Sequence, residues 1–198
     1  IGTNSTGSRN VGVGYAALNA NTSGTRNTAV GNDALTSNTT ASHNTAVGDR
    51  ALYSNTTGEN TSVGMMSLYS NTTGTQNTAI GRASLGSNTT ADNNTALGHD
   101  ALGTNTTGAS NTAVGVAALD ANTTASNNTA MGHNALGANT TGTQNAAFGS
   151  NTLDACTTGS YNTAFGDHAL TSLTTASAIT ALGLEAGNSH TTGANCIY

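Results

Sequence analysis

A 17-residue motif returns along almost the whole chain. The segment Asn27–Leu35, with the sequence NTAVGNDAL, is followed one period later by NTAVGDRAL over Asn44–Leu52. A glycine keeps the same spacing throughout, except that the step between Gly48 and Gly64 is shorter by a single position. Self-similarity at a short fixed period predicts a repeat architecture, in which each unit packs mainly on its two neighbours.

Several positions of the repeat hold one kind of residue in nearly every unit, and we call each such series a ladder. In one unit the ladder residues are Asn27, Val30, Gly31, Leu35, Asn38, Thr39 and Thr40. Ile1 and Asn4 stand at the start of the Leu35 and Asn38 ladders. We predict structural roles for these ladders, because stacked Asn side chains can hydrogen-bond along a rod and stacked Val and Leu can form a thin core.

The unit is too short for two helices and a turn, and its Thr, Val and Gly disfavour helix. Thr28–Val30 is predicted to be a strand and Ala34–Leu35 a second, weaker one, with Asn and Gly at turns that need positive φ. Stacking one coil per repeat predicts an all-β fold, a β-solenoid or β-roll of about eleven 17-residue coils. Residues 1–183 form the predicted solenoid, and residues 184–198 a degenerate last repeat or a transition to a further region.

Composition agrees with a thin stacked rod and excludes several other classes. Thr, Ala, Asn and Gly occupy 123 of the 198 positions, only 7% of residues are charged, and proline is absent. Collagen needs proline, and a coiled coil needs the Glu and Lys that are almost missing here. Four Arg, no Lys and a net charge of −5 argue against nucleic-acid binding. Membrane insertion is not expected, because no apolar run reaches about 18 residues.

A single thin coil buries too little to balance the entropy of ordering its residues, so we expect chains to associate. Successive residues of a strand point to opposite faces. If Val30 faces the coil interior, the Ala29 ladder forms a smooth outer strip on which another chain can pack. We therefore expect self-association as a parallel homotrimer, although the residues alone do not set the number three.

No arrangement of residues indicates catalysis, a cofactor or a metal site. His99 and His133 share a repeat position but lie two coils apart, too far to share a metal within one chain. The nine acidic residues do not recur in register, and no catalytic triad stands out. Cys156 and Cys196 occupy different repeat positions, so an intrachain disulfide is not expected. We predict that the protein is not an enzyme.

Two surface features leave other functions open. Tyr53 and Tyr69 follow the ladder Leu in successive repeats and are candidate surface-binding residues, because exposed aromatic rings beside small polar groups suit carbohydrate contact. The Thr39 and Thr40 ladders suggest ice binding as an alternative. Adjacent threonines face opposite ways in a strand, however, whereas a lattice-matching face needs alternating ones.

The consensus N-T-A-V-G-x-x-A-L-x-x-N-T-T-G, which extends from Asn10 to Gly183, resembles repeats of bacteriophage tail fibres that end in an endosialidase-type intramolecular chaperone. It is also similar to the shorter N-S-V-A-I-G repeats of YadA-like trimeric adhesin heads. The resemblance implies a trimeric left-handed β-roll or β-helix on a virion tail or cell surface. It implies a shaft or a receptor-binding segment, whose partner would be a host receptor or surface glycan. The 17-residue period exceeds the 14 typical of YadA heads, so their coil shape does not transfer.

Overall fold

The computed structural model describes residues 6–198, and in this range the regular elements are eleven three-residue β-strands and no helix. The strands are β1 Val11–Val13, β2 Thr28–Val30, β3 Thr45–Val47, β4 Thr61–Val63, β5 Thr78–Ile80, β6 Thr95–Leu97, β7 Thr112–Val114, β8 Thr129–Met131, β9 Ala146–Phe148, β10 Thr163–Phe165 and β11 Thr180–Leu182. Ile1 and Asn4, assigned to ladders above, lie outside the described residues.

The strands form one parallel sheet in sequence order, β1 to β11. Each strand pairs with the same strand of the next coil: Thr28 pairs with Thr45, and Val30 with Val47. Between β3 and β4 the step is one residue shorter, and Thr45 pairs with Thr61. The predicted β-solenoid is thus confirmed, with repeats of about 17 residues in about ten turns.

The predicted second strand at Ala34–Leu35 is wrong. These residues lie in a continuous series of turns, and Leu35 has a φ of 53°. A left-handed residue breaks the extended geometry that a strand requires. Stacking nevertheless continues there, because the Leu35 amide donates to the Ala51 carbonyl of the next coil at 3.0 Å. Each coil therefore has one strand and a wall of turns whose hydrogen bonds also run from coil to coil.

The orientation considered for the strand, with Val30 inward and Ala29 outward, is also wrong. Ala29 is fully buried and Val30 is half-buried on the outside. Asn27 is buried, and residues two apart on a strand share a face, so Asn27 and Ala29 both point inward. The buried Asn27 thus determines which face of the strand points inward, and Thr28 and Val30 lie on the outer face.

The core consists of stacked Ala and Leu side chains. Leu35 and its equivalents are fully buried in every described coil up to Leu170. Ala29 and Ala34, with their equivalents, occupy the remaining interior. A small residue is needed at both Ala positions because the coil is too thin to hold a third large side chain.

Contacts between coils also occur in residues 184–198. Ile197 forms a parallel bridge with Thr180, and the Tyr198 amide donates to the Thr180 carbonyl at 2.9 Å. Large apolar side chains are more exposed in this last part, with Leu184 72% and Ile197 86% exposed. Residues 184–198 therefore stack on the preceding coil, but their large apolar side chains are less buried than those of that coil.

Candidate interaction surfaces

The Asn27 ladder lies inside the rod and links successive coils. The Asn44 amide donates to Oδ1 of Asn27 at 2.9 Å, and Nδ2 of Asn27 donates to the Ala41 carbonyl at 2.8 Å. The same two bonds recur in most coils. These side chains satisfy backbone groups that the turns leave unpaired.

The Asn38 ladder forms a second buried chain of hydrogen bonds. Nδ2 of Asn38 donates both to Oδ1 of Asn21 and to the Ala41 carbonyl, each at 3.0 Å. The described part of this ladder contains two breaks. Oδ1 of Asn38 and Nδ2 of Asn55 lack partners at the coil with the missing residue, and Oδ1 of Asn139 lacks one where Cys156 replaces the next Asn.

Neither Asn ladder provides the positive-φ turn residues that the sequence suggested. The Gly31 ladder does, with φ of 139° at Gly31, but the other left-handed positions are occupied by residues such as Asp33, Leu35 and His43. A non-Gly residue in this region costs of order 1 kcal/mol and persists only where the surroundings impose it. Here the coil-to-coil hydrogen bonds impose it in every repeat.

The Thr39 and Thr40 ladders lie on the outside of a bend in the coil. Several hydroxyls of the Thr39 ladder donate to the carbonyl of the next coil, as Thr22 does to Thr39 and Thr72 to Thr89, both at 3.0 Å. Thr40 is exposed. Hydroxyls of the Thr39 ladder are thus partly used for stacking, and one hydroxyl of the Thr40 ladder, that of Thr57, also donates to the next coil, at 3.4 Å.

The outward face of the sheet carries a continuous apolar column, which we call the outer apolar column. It consists of Val13, Val30, Val47, Val63, Ile80, Leu97, Val114, Met131, Phe148, Phe165 and Leu182. Val13 is 57% exposed, Leu97 45% and Phe165 56%. Phe148 and Phe165 stack with ring centroids 5.6 Å apart. A Thr, Ala or Val stands beside each member, so the strands place no charged side chain on this face.

The stacking of successive coils brings Tyr53 and Tyr69 together. Their rings stack with centroids 5.2 Å apart and planes 20° from parallel. Beyond Tyr69, the next two residues of this column are glycines, Gly86 and Gly103, and the third is Asp120. Between the ring and the carboxylate lies an open groove of about 380 Å³, which we call the Tyr69 groove.

The acidic end of the Tyr69 groove was not identified from sequence. Asp100 and Asp120 both line it, and burial, with a smaller effect of nearby Asp100, raises the pKa of Asp120. His99 links two charged neighbours, since its Nδ1 lies 2.9 Å from Oδ2 of Asp100 and its Nε2 lies 2.7 Å from Nη1 of Arg82. The sequence contains this pattern as Tyr, Gly, Gly and Asp at the same position of four successive repeats. It is not visible as a motif because the four residues lie in separate repeats.

The remaining candidate chemistry stays dispersed. No group of three or more His, Cys, Asp or Glu suitable for a metal ion occurs among residues 6–198. Cys156 and Cys196 are both free thiols, and burial raises the pKa of Cys156 to about 11. No helix long and apolar enough to cross a membrane is found in the described part of the chain.

Comparisons with known protein families, with characterised proteins and with solved structures find no match for this chain.

Proposed function

We propose that this chain is a structural segment of an extracellular fibre, in which copies associate in parallel as a homotrimer without catalysing a reaction. The fibre would belong to a phage tail or a bacterial surface adhesin. It would act as a stiff shaft that projects a tip or presents a receptor-binding face. The observation that carries the proposal is the outer apolar column.

The outer apolar column is a poor solvent-facing surface and a good packing surface. Contiguous apolar side chains exposed on a soluble protein commonly mark an interaction site. Phe165 at 56% and Leu182 at 71% exposure would gain most from being covered. The column runs along all eleven strands, so a partner must follow the rod rather than touch it at one point.

A second copy of this chain suits that requirement better than an unrelated partner. It carries the same column with the same coil spacing, including the short step between β3 and β4. Parallel copies therefore stay in register over the whole length. The strand faces carry no charge, so bringing identical faces together causes no like-charge repulsion. The number three follows from the resemblance to trimeric fibres.

Light scattering on the purified chain, coupled to size-exclusion chromatography, tests the proposal. We expect a trimeric mass for the native chain and a smaller mass for the double variant Leu97→Asp and Met131→Asp, which places charge in the outer apolar column. The matched control is Thr107→Asp with Thr141→Asp, two exposed positions on the bend that carries Thr40. A native chain that is monomeric at all concentrations would contradict the proposal.

Ice binding is a second candidate function. It is favoured by threonines on the outward face of the strands, not by the Thr39 and Thr40 ladders. Nine of the eleven strands begin with Thr, and these threonines point outward beside the outer apolar column. The parallel sheet repeats them at roughly 4.8 Å. Thermal hysteresis that is lost in Thr95→Lys and Thr112→Lys variants would support this function, and its absence from the native chain would exclude it.

A further inference from the structure

We propose that the Tyr69 groove binds one pyranose ring of an uncharged glycan, with the sugar stacked on Tyr69 and its hydroxyls hydrogen-bonded to Asp120 and Asp100. The groove is formed by a single chain and lies on the turn wall, not on the strand face. The inference therefore goes beyond the proposed fibre and does not require association of chains.

The shape of the groove results from a gap in one column of side chains. Position by position, Tyr69 is followed by Gly86, Gly103 and Asp120, one residue per coil. The two glycines leave a trough between the Tyr69 ring and Asp120, and the carboxylate of Asp120 lies over Gly103 at its far end. Its volume of about 380 Å³ lies within the range of small-ligand sites.

Tyr69 closes one end of the trough with a flat and supported surface. Tyr53 covers one face of its ring at a centroid distance of 5.2 Å, so the ring is held and its other face borders the groove. A fixed aromatic face offers apolar contact at little entropic cost. The C–H face of a pyranose ring matches such a surface, while its hydroxyls remain directed outward.

The opposite end of the trough is rich in hydrogen-bond acceptors. Oδ1 of Asp120 leans over Gly103, lying 2.8 Å from where a side-chain carbon of residue 103 would be. Asp100 is oriented by His99, at 2.9 Å. Two carboxylates can accept bonds from neighbouring sugar hydroxyls, and such bonds to an ionised acceptor are stronger than neutral ones.

The same carboxylates predict which sugars are rejected. Asp100 and Asp120 already repel each other, which contributes to the raised pKa of Asp120. A uronic or sialic acid would add a third negative charge to a partly desolvated site. We therefore expect neutral hexopyranosides to bind and acidic sugars not to bind.

Saturation-transfer NMR tests the groove with the methyl pyranosides of glucose, galactose and mannose, with glucuronic acid as the acidic probe and Nα-acetyl-lysine as a cationic probe. The variants use residues that other coils already carry at this position. Gly86→Thr fills the trough, as Thr36 and Thr171 show to be compatible with the fold, and Tyr69→Asn follows Asn188. Tyr161→Ala removes an exposed ring elsewhere and is the control.

We expect at least one neutral pyranoside to bind the native chain, and its apparent Kd to weaken about tenfold or more in both groove variants but not in the control. The inference is overturned if no neutral pyranoside binds, if binding persists in both groove variants, or if only glucuronic acid or the lysine probe binds. Light scattering on the same samples reports association separately, so a failure of the fibre proposal remains distinguishable.

Discussion

At the scale of single residues, the Gly31 ladder shows how stacking restricts side chains. Gly98 has a φ of 143°, and a side-chain carbon there would overlap the carbonyl oxygen of Gly115 in the next coil. Both the conformation and the space therefore require glycine. Gly183 has a similar φ of 126°, but nothing lies within 4 Å of its missing side chain. A comparison of Gly98 with Gly183 therefore separates the cost of the backbone conformation from the cost of the close approach between coils.

We expect Gly183→Ala to lower the free energy of unfolding by about 1–3 kcal/mol, the cost of the backbone conformation alone. Gly98→Ala should cost at least about 3 kcal/mol, because two coils must also move apart. Thermal unfolding followed by circular dichroism, at matched protein concentration, measures both. Equal losses in the two variants would show that the close approach of the coils contributes nothing.

Cys156 provides a prediction about reactivity. It is fully buried in the Asn38 ladder, and burial raises the pKa of its thiol to about 11 from an ordinary value of 9.0. The thiolate is the reactive form. We expect iodoacetamide at about pH 8 to modify Cys196, which is only partly buried, and to leave Cys156 intact until the chain is unfolded in urea.

The same shift has a consequence for stability. Because the folded-state pKa is raised, the thiol contributes stability that is fully present below pH 9.0 and is lost as the pH rises through about 11. Replacing Cys156 by Asn, the usual ladder residue, removes this titration.

Mass spectrometry of the alkylated peptides checks the predicted difference in reactivity between Cys156 and Cys196. Equal labelling of both thiols in the folded protein would contradict that prediction.

At the scale of the coil, the one-residue deletion is a local defect. The coil that contains Glu59 lacks one residue, and Gly58 adopts a φ of 90°, which the equivalent Gly74 does not. The Asn38 ladder breaks at this place, leaving Oδ1 of Asn38 and Nδ2 of Asn55 unpaired. A buried polar atom without a partner costs about 1–3 kcal/mol.

Inserting Thr between Gly58 and Glu59 restores the sequence pattern of Gly74, Thr75 and Gln76. We expect the insertion to raise the free energy of unfolding by about 1–3 kcal/mol, because Asn55 can again donate to Asn38. The control inserts Thr between Gly108 and Ala109, in a complete coil, and should destabilise. Chemical denaturation measures both, and a loss of stability in both variants would count against this account of the defect.

At the scale of the whole molecule, stability arises from contacts between neighbouring coils. Among residues 6–198, each strand contacts only the strands adjacent to it in sequence order. Such an array behaves as a sum of unit and interface contributions. The length of the rod can therefore change by whole repeats without changing the fold.

We expect removal of residues 94–110, one complete 17-residue unit, to leave a folded rod with a slightly lower melting temperature. The deletion joins Asn93 to Asn111 and preserves the repeat pattern. As a control, removal of residues 94–101 takes away half a coil and shifts every later ladder. Circular dichroism and thermal melting distinguish them. If both deletions keep the native spectrum, the ladders do not determine the register.

The sequence by itself determined the period, the parallel stacking of coils and the residues that form the ladders. These follow from repetition, because an identical unit placed once in every 17-residue period satisfies its backbone and its side chains in the same way each time. The position of the short coil near Glu59 was also readable, since one missing residue displaces every later ladder by one.

Only the tertiary structure decided which face of the strand is buried and where the Tyr69 groove lies. Hydrophobicity favoured Val30 as the inward residue. The buried hydrogen bonds of Asn27 instead turn Ala29 inward and Val30 outward, and the interior has room only for the small Ala29 side chain. Likewise, Tyr69 and Asp120 are 51 positions apart in the chain, and only the coil spacing brings them to the two ends of one groove. Burial of polar groups and proximity between distant repeats are properties of the packed rod, because both depend on which neighbours surround each side chain.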